Sequence, residues 1–369
     1  MKIAEKAGIA RIISFILIAT VLVCTIGLVV SGWQTEAPSK QPDSGDSAGD
    51  SANADENKDG KINQDDKTDG DNTKVNETVF VNYLTGTAIS EELFRTCPVA
   101  FVCDPRDPVY ALSLSDLTIE FPTETGATRL LVYHRDLSAL GKIGSLTKTR
   151  SYIHELVMRF GGISVFRGID GYGKDAFAAQ HALDIDATTG YSYTENSVYM
   201  YTNGDLIRAA LMNNGFNSAL TETPVMPYDF TETPKVQGTA GTIILPYSGQ
   251  SETELYYSAD RGAYIYSKSG VVKTDMLNGR TVTYKNVLVL FADSVTYETE
   301  KSTETVINTC THGTGYYAVD GKMCEITWET DEHGDMIFID ADGNKLGISA
   351  GNIYISYFKS SMKDQVKIQ

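Results

Sequence analysis

The sequence predicts an α+β protein. A mixed α/β N-terminal domain and a mainly antiparallel β C-terminal domain are expected behind a single N-terminal transmembrane helix. Three observations lead to this prediction. Residues 12–33 form one apolar run without a charged side chain. Helix-like and strand-like patterns are mixed in residues 79–233, and short period-two strands separated by turn residues fill residues 234–362.

The apolar run has the length of a membrane anchor, since about 20 residues rising about 1.5 Å each cross a hydrocarbon core of ~30 Å. Lys2, Lys6 and Arg11 precede the run, and acidic residues follow it. By the positive-inside rule, residues 1–11 should be cytoplasmic and the folded domains extracytoplasmic, at the cell membrane. A cleaved signal peptide and a lipid attached to Cys24 are the alternatives. The run is too long for the first, and the branched Val23 does not suit the second.

Residues 34–78 change character, with twelve acidic against five basic residues and almost no large apolar side chain. Such a stretch does not offset the entropy lost on ordering, so we expect a disordered acidic linker. A flexible chain of this length spans roughly 35–40 Å on average. The net charge of the whole chain is −17, which argues against nucleic acid as a partner.

The linker contains a pattern that resembles the calcium-binding loop of EF-hand and dockerin modules. Its candidate metal-binding residues are Asp55, Asn57, Asp59, Lys61, Asn63 and Asp66. No helical pattern follows the loop to hold it in place. At most a weak, millimolar-range calcium site is therefore expected, and no other cofactor. The alternative is that an acidic, Asn-rich linker matches the pattern by composition alone.

The N-terminal domain, residues 79–233, alternates strands with helices. Strands are predicted at 79–83, 98–103, 117–121, 130–134 and 163–166. A helical stripe of apolar residues runs over 150–160, and a second helix begins after Asn203 as its N-cap.

The C-terminal domain, residues 234–362, is predicted to contain many short strands, followed by a tail at 363–369. The strands are expected at 242–245, 254–257, 263–266, 286–291, 316–319, 324–328, 336–339 and 353–358. Hairpin turns are indicated by Asn278-Gly279, Asp320-Gly321 and Asp342-Gly343. The pattern is typical of an antiparallel sandwich or barrel. Its many tyrosines either fill half-buried strand faces or form a flat platform for carbohydrate.

Four cysteines follow Cys24, namely Cys97, Cys103, Cys310 and Cys324. An oxidising compartment would permit Cys97–Cys103 and Cys310–Cys324 bridges, although four cysteines allow three connectivities. Free buried thiols are the alternative. The spacings are not those of a zinc site.

Several short motifs occur in a fixed order along residues 79–360. They include Leu84-Thr85-Gly86, Pro98-Val99-Ala100, Ser115-Asp116, Glu124 to Arg129, Thr149-Arg150-Ser151, Pro246-Tyr247-Ser248 and Gly313-Thr314-Gly315. In this series the chain resembles the YerB-like lipoprotein family, bacterial envelope proteins built of a two-part domain of unknown function. The resemblance implies a two-part domain and an envelope location. It carries no known catalytic activity. The chain departs from the family by lacking a lipid-attachment motif, so the apolar run would replace the lipid. The stretch of sequence after Arg150 also differs more from the family's pattern.

Five charged residues match positions where that family has like residues, and they are the candidate ligand-binding set: Asp104, Glu120, Glu124, Arg129 and Arg150. Glu120 ends an apolar strand, and Glu124 and Arg129 flank a turn. The functional interpretation is a polar cleft in which arginines bind a peptide, a glycan or a carboxylate. The alternative is an ion-pair network that closes the turn.

Familiar catalytic patterns are incomplete. His154-Glu155 begins a zinc-protease motif that ends in Met158, and Ser145 with Lys148 lacks the companion motifs of a serine acyltransferase. The sequence therefore favours a non-catalytic binding or interaction module, with a cell-wall component or an envelope protein as partner. The alternative is a wall glycan or peptide hydrolase with Glu120 and Glu124 as acid and base. An assembly or scaffold role is a third option.

Overall fold

The structure is a computed structural model that describes residues 79–169, 184–216, 219–220, 223–298, 303–309 and 311–369. The predicted cytoplasmic segment, membrane helix, linker and calcium-loop residues lie outside these ranges. Across the described ranges, no helix combines the length and the apolar character needed to cross a bilayer.

The described chain is mostly β. Its α-helices are α1 (Glu91–Phe94), α2 (Ser151–Arg159) and α3 (Gly204–Asn213), and its 3-10 helices are Leu112–Leu114, Ala187–Thr189 and Ser360–Gln365. The strands of the first half are β1 (Phe80–Val81), β2 (Ala88–Ile89), β3 (Val99–Cys103), β4 (Leu117–Pro122), β5 (Thr128–His134), β6 (Ile143–Gly144), β7 (Ile163–Phe166), β8 (Asp184–Asp186), β9 (Tyr193–Glu195), β10 (Tyr199–Thr202) and β11 (Asp229–Phe230). Those of the second half are β12 (Gly238–Thr239), β13 (Thr242–Ser248), β14 (Ser251–Ser258), β15 (Ala263–Lys268), β16 (Val271–Val272), β17 (Thr283–Tyr284), β18 (Asn286–Ala292), β19 (Ser294–Glu298), β20 (Thr303–Ile307), β21 (His312–Val319), β22 (Lys322–Thr330), β23 (Met336–Ile339), β24 (Gly347–Ile348), β25 (Ile353–Lys359) and β26 (Lys367–Ile368).

One large sheet contains strands from both halves of the sequence. Its order is β12-β22-β21-β18-β25-β4-β5-β3-β7-β8, with β23 paired to β22, which makes eleven described strands. The halves meet where β25 runs parallel to β4, with Ile353 opposite Leu117 and Ser356 opposite Glu120. The strands that the sequence divided between two domains therefore form a continuous sheet.

A second sheet covers one face of the large one. It has the antiparallel order β16-β15-β14-β13-β26, with β17 paired to β15. Leu255 of this sheet shares one apolar core with Val289 of the large sheet, and Ile119 shares a second core with Leu156 of α2 on the opposite face. Each fully buried aliphatic side chain contributes about 1.5–3 kcal/mol. Because a sheet covers the face where an α/β fold places helices, the chain holds less helix than the predicted class implies.

The two predicted helices are confirmed. α3 begins after Asn203, whose Oδ1 accepts a hydrogen bond from Leu206 N at 2.9 Å, and it buries Ile207 and Leu211. This is the N-cap arrangement that the asparagine predicted. The helix predicted over 150–160 spans Ser151–Arg159.

The Asp320-Gly321 hairpin signal is also confirmed. The two residues join β21 to β22 with φ angles of 51° and 74°. Two positive φ angles define the type I′ turn, which glycine adopts without strain.

Cys97, Cys103 and Cys324 are free thiols, and Cys310 lies outside the described residues. A Cys97–Cys103 bridge is excluded because β3 extends between the two residues. Cys97 precedes β3 by two residues, and the strand from Val99 to Cys103 alone covers roughly 13 Å at about 3.3 Å per residue, whereas a disulfide needs Cα atoms within about 7 Å.

We expect the peptide that carries Cys97 and Cys103 to take up two alkylating groups when the protein is unfolded without reductant. Mass spectrometry of the digested protein measures this directly. In the folded protein, burial raises the pKa of the Cys97 thiol, which slows its alkylation. An oxidised Cys97–Cys103 peptide that gains labels only after reduction would contradict the prediction.

Candidate functional site

Glu120 lies between the two sheets and is fully enclosed. Its Oε1 accepts a hydrogen bond from Lys268 Nζ at 2.6 Å, and the two side chains are 0% and 1% exposed. Its Oε2 accepts from Tyr354 at 2.6 Å, Thr253 at 2.9 Å and Tyr266 at 3.2 Å. The ion pair therefore links β4 of the large sheet to β15 of the second sheet.

The surroundings of Glu120 keep it ionised. Burial acts to raise its pKa, but the Lys268 ammonium and hydrogen bonds from Lys268, Thr128 and Tyr354 outweigh burial and lower the pKa below its usual value of 4.5. Five described side chains already donate hydrogen bonds to its two oxygens, so this carboxylate offers no free acceptor position to a substrate in the described conformation.

Glu124, Arg129 and Arg150 do come together, beyond the end of β4. Arg150 Nη2 donates to both carboxylate oxygens of Glu124, at 2.7 and 2.8 Å, and the Arg150 side chain is 1% exposed. Arg129 Nη1 donates to the carbonyl of Lys148 at 2.7 Å. Burial lowers the pKa of both arginines, and Glu124 and Glu304 act to raise it. These contacts have the form of the ion-pair network that sequence analysis gave as the alternative, and a ligand-binding role of the set stays a prediction.

The turn that carries Glu124 presses against the end of β13. Gly126 has a φ of 74°, and a Cβ atom there would lie 2.6 Å from Ser248 Cβ. Thr123 N donates to the carbonyl of Ala127 at 2.8 Å and closes the turn. The Glu124–Arg150 pair thus fixes a turn that supports Ser248.

Asp104 lies apart from Glu120, at the end of β3. Its carboxylate accepts from the backbone and the guanidinium of Arg106, with Nη2 at 2.6 Å from Oδ2. The negative charge of Asp104 acts to raise the pKa of Arg129, so Asp104 lies near the Arg129 guanidinium.

A groove of about 600 Å³ lies beside Ser248, between the end of the second sheet and the 3-10 helix that follows β25. Its polar walls are formed by Ser248, Gln250, Ser251, Ser269 and Gln365. Sequence reasoning missed this site. Pro246-Tyr247-Ser248 belongs to the series of motifs that carries the family resemblance, but nothing in the sequence links it to a groove. The other serines and glutamines carry no motif, and the two walls are about a hundred residues apart in the chain.

Ser251 is the distinctive residue of the groove. Ser251 and Thr253 point to the buried side of β14, and Glu252 between them is half-buried. Ser251 is 5% exposed, and its Oγ has no hydrogen-bond partner among the residues that the structure describes. A buried hydroxyl without a partner costs about 1–3 kcal/mol. Such a group favours a ligand or a water that completes its hydrogen bond.

Most tyrosines of the second half do not form a carbohydrate platform. Tyr256, Tyr257 and Tyr316 are half-buried, and Tyr297 is 40% exposed. The other seven lie in the core at 5% exposure or less, namely Tyr247, Tyr264, Tyr266, Tyr284, Tyr317, Tyr354 and Tyr357. They fill strand faces, as expected for residues with high β-propensity.

A different aromatic cluster, also missed from sequence, surrounds Lys142. Its Nζ lies 4.0 Å from the ring centroids of both Tyr110 and Tyr201 and 2.7 Å from Glu195 Oε1. The ammonium fills the space between the rings, so this cluster is satisfied internally. The tyrosine-rich run at 191–201 was the available signal.

His154 belongs to a buried polar group rather than to a zinc site. Its Nδ1 lies 2.8 Å from Asp184 Oδ2, and Ser164 donates to the other oxygen of Asp184. A serine nucleophile needs the imidazole next to its hydroxyl, whereas here the aspartate lies between them. Among the described side chains, no three histidine, cysteine or acidic residues come close enough to hold a metal ion.

Two domain profiles match the chain. The N-terminal domain of "Protein of unknown function (DUF3048)" matches residues 84–217, and its C-terminal domain matches residues 243–355. Among solved structures, the chain is similar to the crystal structure of the YerB protein from Bacillus subtilis. The identity is 21%, the TM-score is 0.69, and the match covers 78% of this chain and 99% of that one. This likeness shows a shared fold. No curated protein matches the chain.

Proposed function

The chain belongs to the DUF3048 family, and from that premise we propose that it is a membrane-anchored, extracytoplasmic binding protein of the bacterial cell envelope. Its partner would be a cell-wall component or another envelope protein. The uncharged run at 12–33 supports the anchor, and the acidic linker at 34–78 supports a tether to the folded region.

The groove beside Ser251 is the observation that supports binding. Its volume of about 600 Å³ falls within the range of ~300–1,000 Å³ typical of small-molecule sites. β14 is paired on both sides, with β13 and β15, so the groove wall is held in place before any ligand arrives. Preorganisation of this kind reduces the entropy lost on binding.

The hydrolase alternative has no comparable support. Its two carboxylates would have to face one another across a cleft, about 5–9.5 Å apart. Glu120 is enclosed by five donors, and Glu124 is bound by Arg150.

Retention on envelope fragments tests the proposal. The full chain, purified in a polyoxyethylene detergent that carries no sugar headgroup, is incubated with crude envelope fragments and with the same fragments stripped of protein. Retention on both indicates a wall component, and retention on the crude fragments alone indicates a protein partner. Absence of retention on both samples overturns the proposal, and release of soluble fragments favours the hydrolase.

Replacing Gly126 by alanine should lower the free energy of unfolding by about 1–3 kcal/mol through the positive φ angle alone. The new methyl group also meets Ser248, which should move the groove wall and weaken retention. Gly262→Ala is the matched control, because Gly262 has a φ of 59° and no atom within 4 Å of an added Cβ. Urea unfolding and the retention assay measure the two effects. Equal effects of both variants would contradict the contact between the turn and the groove.

A further inference from the structure

The groove beside Ser251 is lined by neutral hydrogen-bonding groups. Five of its side chains are serine or glutamine, and Glu252 is the charged residue among the described lining residues. Glu254 lies next to Glu252 on the same strand, and burial together with a hydrogen bond to Glu252 raises the pKa of Glu254. This crowding of carboxylates repels an anionic ligand. The lining therefore favours a ligand without negative charge.

The Ser251 hydroxyl indicates the kind of group that the ligand presents. Its Oγ is buried without a partner among the described residues, and a hydroxyl both donates and accepts. An alcohol or amide group of a ligand satisfies it in either direction, whereas an alkyl group leaves it unpaired.

The apolar parts of the groove complete this description. Pro246 and Met362 line it together with the serines and glutamines. A sugar ring carries hydroxyl groups at its edge and C–H groups on its faces, so it uses both kinds of lining. A peptide without hydroxyl side chains also satisfies Ser251 through an amide group, but it offers fewer hydrogen-bonding groups to the other serines and glutamines.

We propose that the groove binds a neutral polyhydroxylated chain, an uncharged oligosaccharide segment, with Ser251 Oγ hydrogen-bonded to a ring hydroxyl or an acetamido group. This inference rests on the proposed binding function and names the ligand class of the same site.

Isothermal titration calorimetry of the full chain, in the polyoxyethylene detergent, tests the ligand class. The probes are the tetramer of N-acetylglucosamine, cellotetraose and maltotetraose, with tetraglutamate as the anionic comparison. At least one neutral tetramer should bind, and tetraglutamate should not. Ser251→Ala should weaken that binding about 5–10-fold, the size expected for one hydrogen bond. Ser251→Thr retains the hydroxyl and should restore most of the affinity.

Ser258→Ala is the matched control, since Ser258 ends the same strand and does not line the groove. Ser251→Ala should leave the melting temperature unchanged or raise it, because it removes an unpaired buried hydroxyl. Equal affinity of Ser251→Ala and the wild type overturns the assignment to this groove. Absence of heat from all three sugars while envelope retention persists overturns the ligand class and leaves the proposed function standing. Loss of retention as well overturns both.

Discussion

Lys268→Met is expected to lower the free energy of unfolding by about 3–5 kcal/mol near neutral pH, the usual effect of removing one partner of a buried ion pair. The substitution keeps the length of the side chain but leaves the carboxylate of Glu120 enclosed at 0% exposure without its cation. Urea unfolding followed by circular dichroism measures the change. Lys235→Met is the control, because Lys235 is 63% exposed beside Asp342 and should give no measurable change.

The pH dependence of this effect follows from the lowered pKa of Glu120. A carboxyl group with a folded-state pKa below its unfolded value stabilises the fold above the unfolded pKa, near 4.5, and loses this contribution as the pH falls through the folded pKa. In Lys268→Met, burial dominates and raises the pKa of Glu120, so protonation stabilises the variant. The difference between the two proteins should therefore be largest above the raised pKa of Glu120 in the variant, and it should narrow as the pH falls through that pKa toward 4.5. It should narrow further as the pH falls below 4.5 through the lowered pKa of Glu120 in the wild type.

The double variant Glu120→Gln/Lys268→Met separates charge from packing. It removes both charges while keeping similar volumes, and it should recover most of the lost stability, as replacements of whole buried ion pairs often do. A loss under 1 kcal/mol for Lys268→Met, or a difference that widens at acidic pH, would contradict a buried pair between the two sheets.

Arg150→Ala is expected to lower the free energy of unfolding by about 2–4 kcal/mol, because the Arg150 side chain is 1% exposed and binds both oxygens of Glu124. The turn at Gly126 should loosen with it, so retention on envelope fragments should fall as well. Thermal and urea unfolding, together with the retention assay, check both effects.

The exposed pair Arg95–Glu91 supplies the control for Arg150→Ala. Its side chains are 65% and 56% exposed, so Arg95→Ala should change stability by less than about 0.5 kcal/mol. If Arg150→Ala keeps full stability but loses binding, the arginine acts on a ligand directly and the network interpretation is wrong.

Local features of the fold could be predicted from sequence, because they depend on neighbouring residues. The Asn203 cap and the Asp320-Gly321 turn are set by side-chain chemistry within a few residues. The pairing of β25 with β4 could not be predicted, since it joins Ile353 to Leu117 and depends on how two distant apolar strands pack. No periodicity within either segment contains that information.

The candidate site shows the same limit. Glu120 was singled out at the end of an apolar strand, but its partner Lys268 lies on a strand of the other sheet and was not identified. Glu124 and Arg150 were predicted near each other and are in contact. No sequence pattern pointed to Ser251, because its importance arises from burial and from a missing hydrogen-bond partner in the described structure.

The most direct test of binding through the groove compares three full-length proteins on envelope fragments: the wild type, Ser251→Ala/Gln365→Ala and Ser258→Ala. All three should unfold at similar urea concentrations. We expect the wild type and Ser258→Ala to be retained alike, while the groove variant loses most of its retention. Equal retention of all three proteins would show that the groove is not the binding surface.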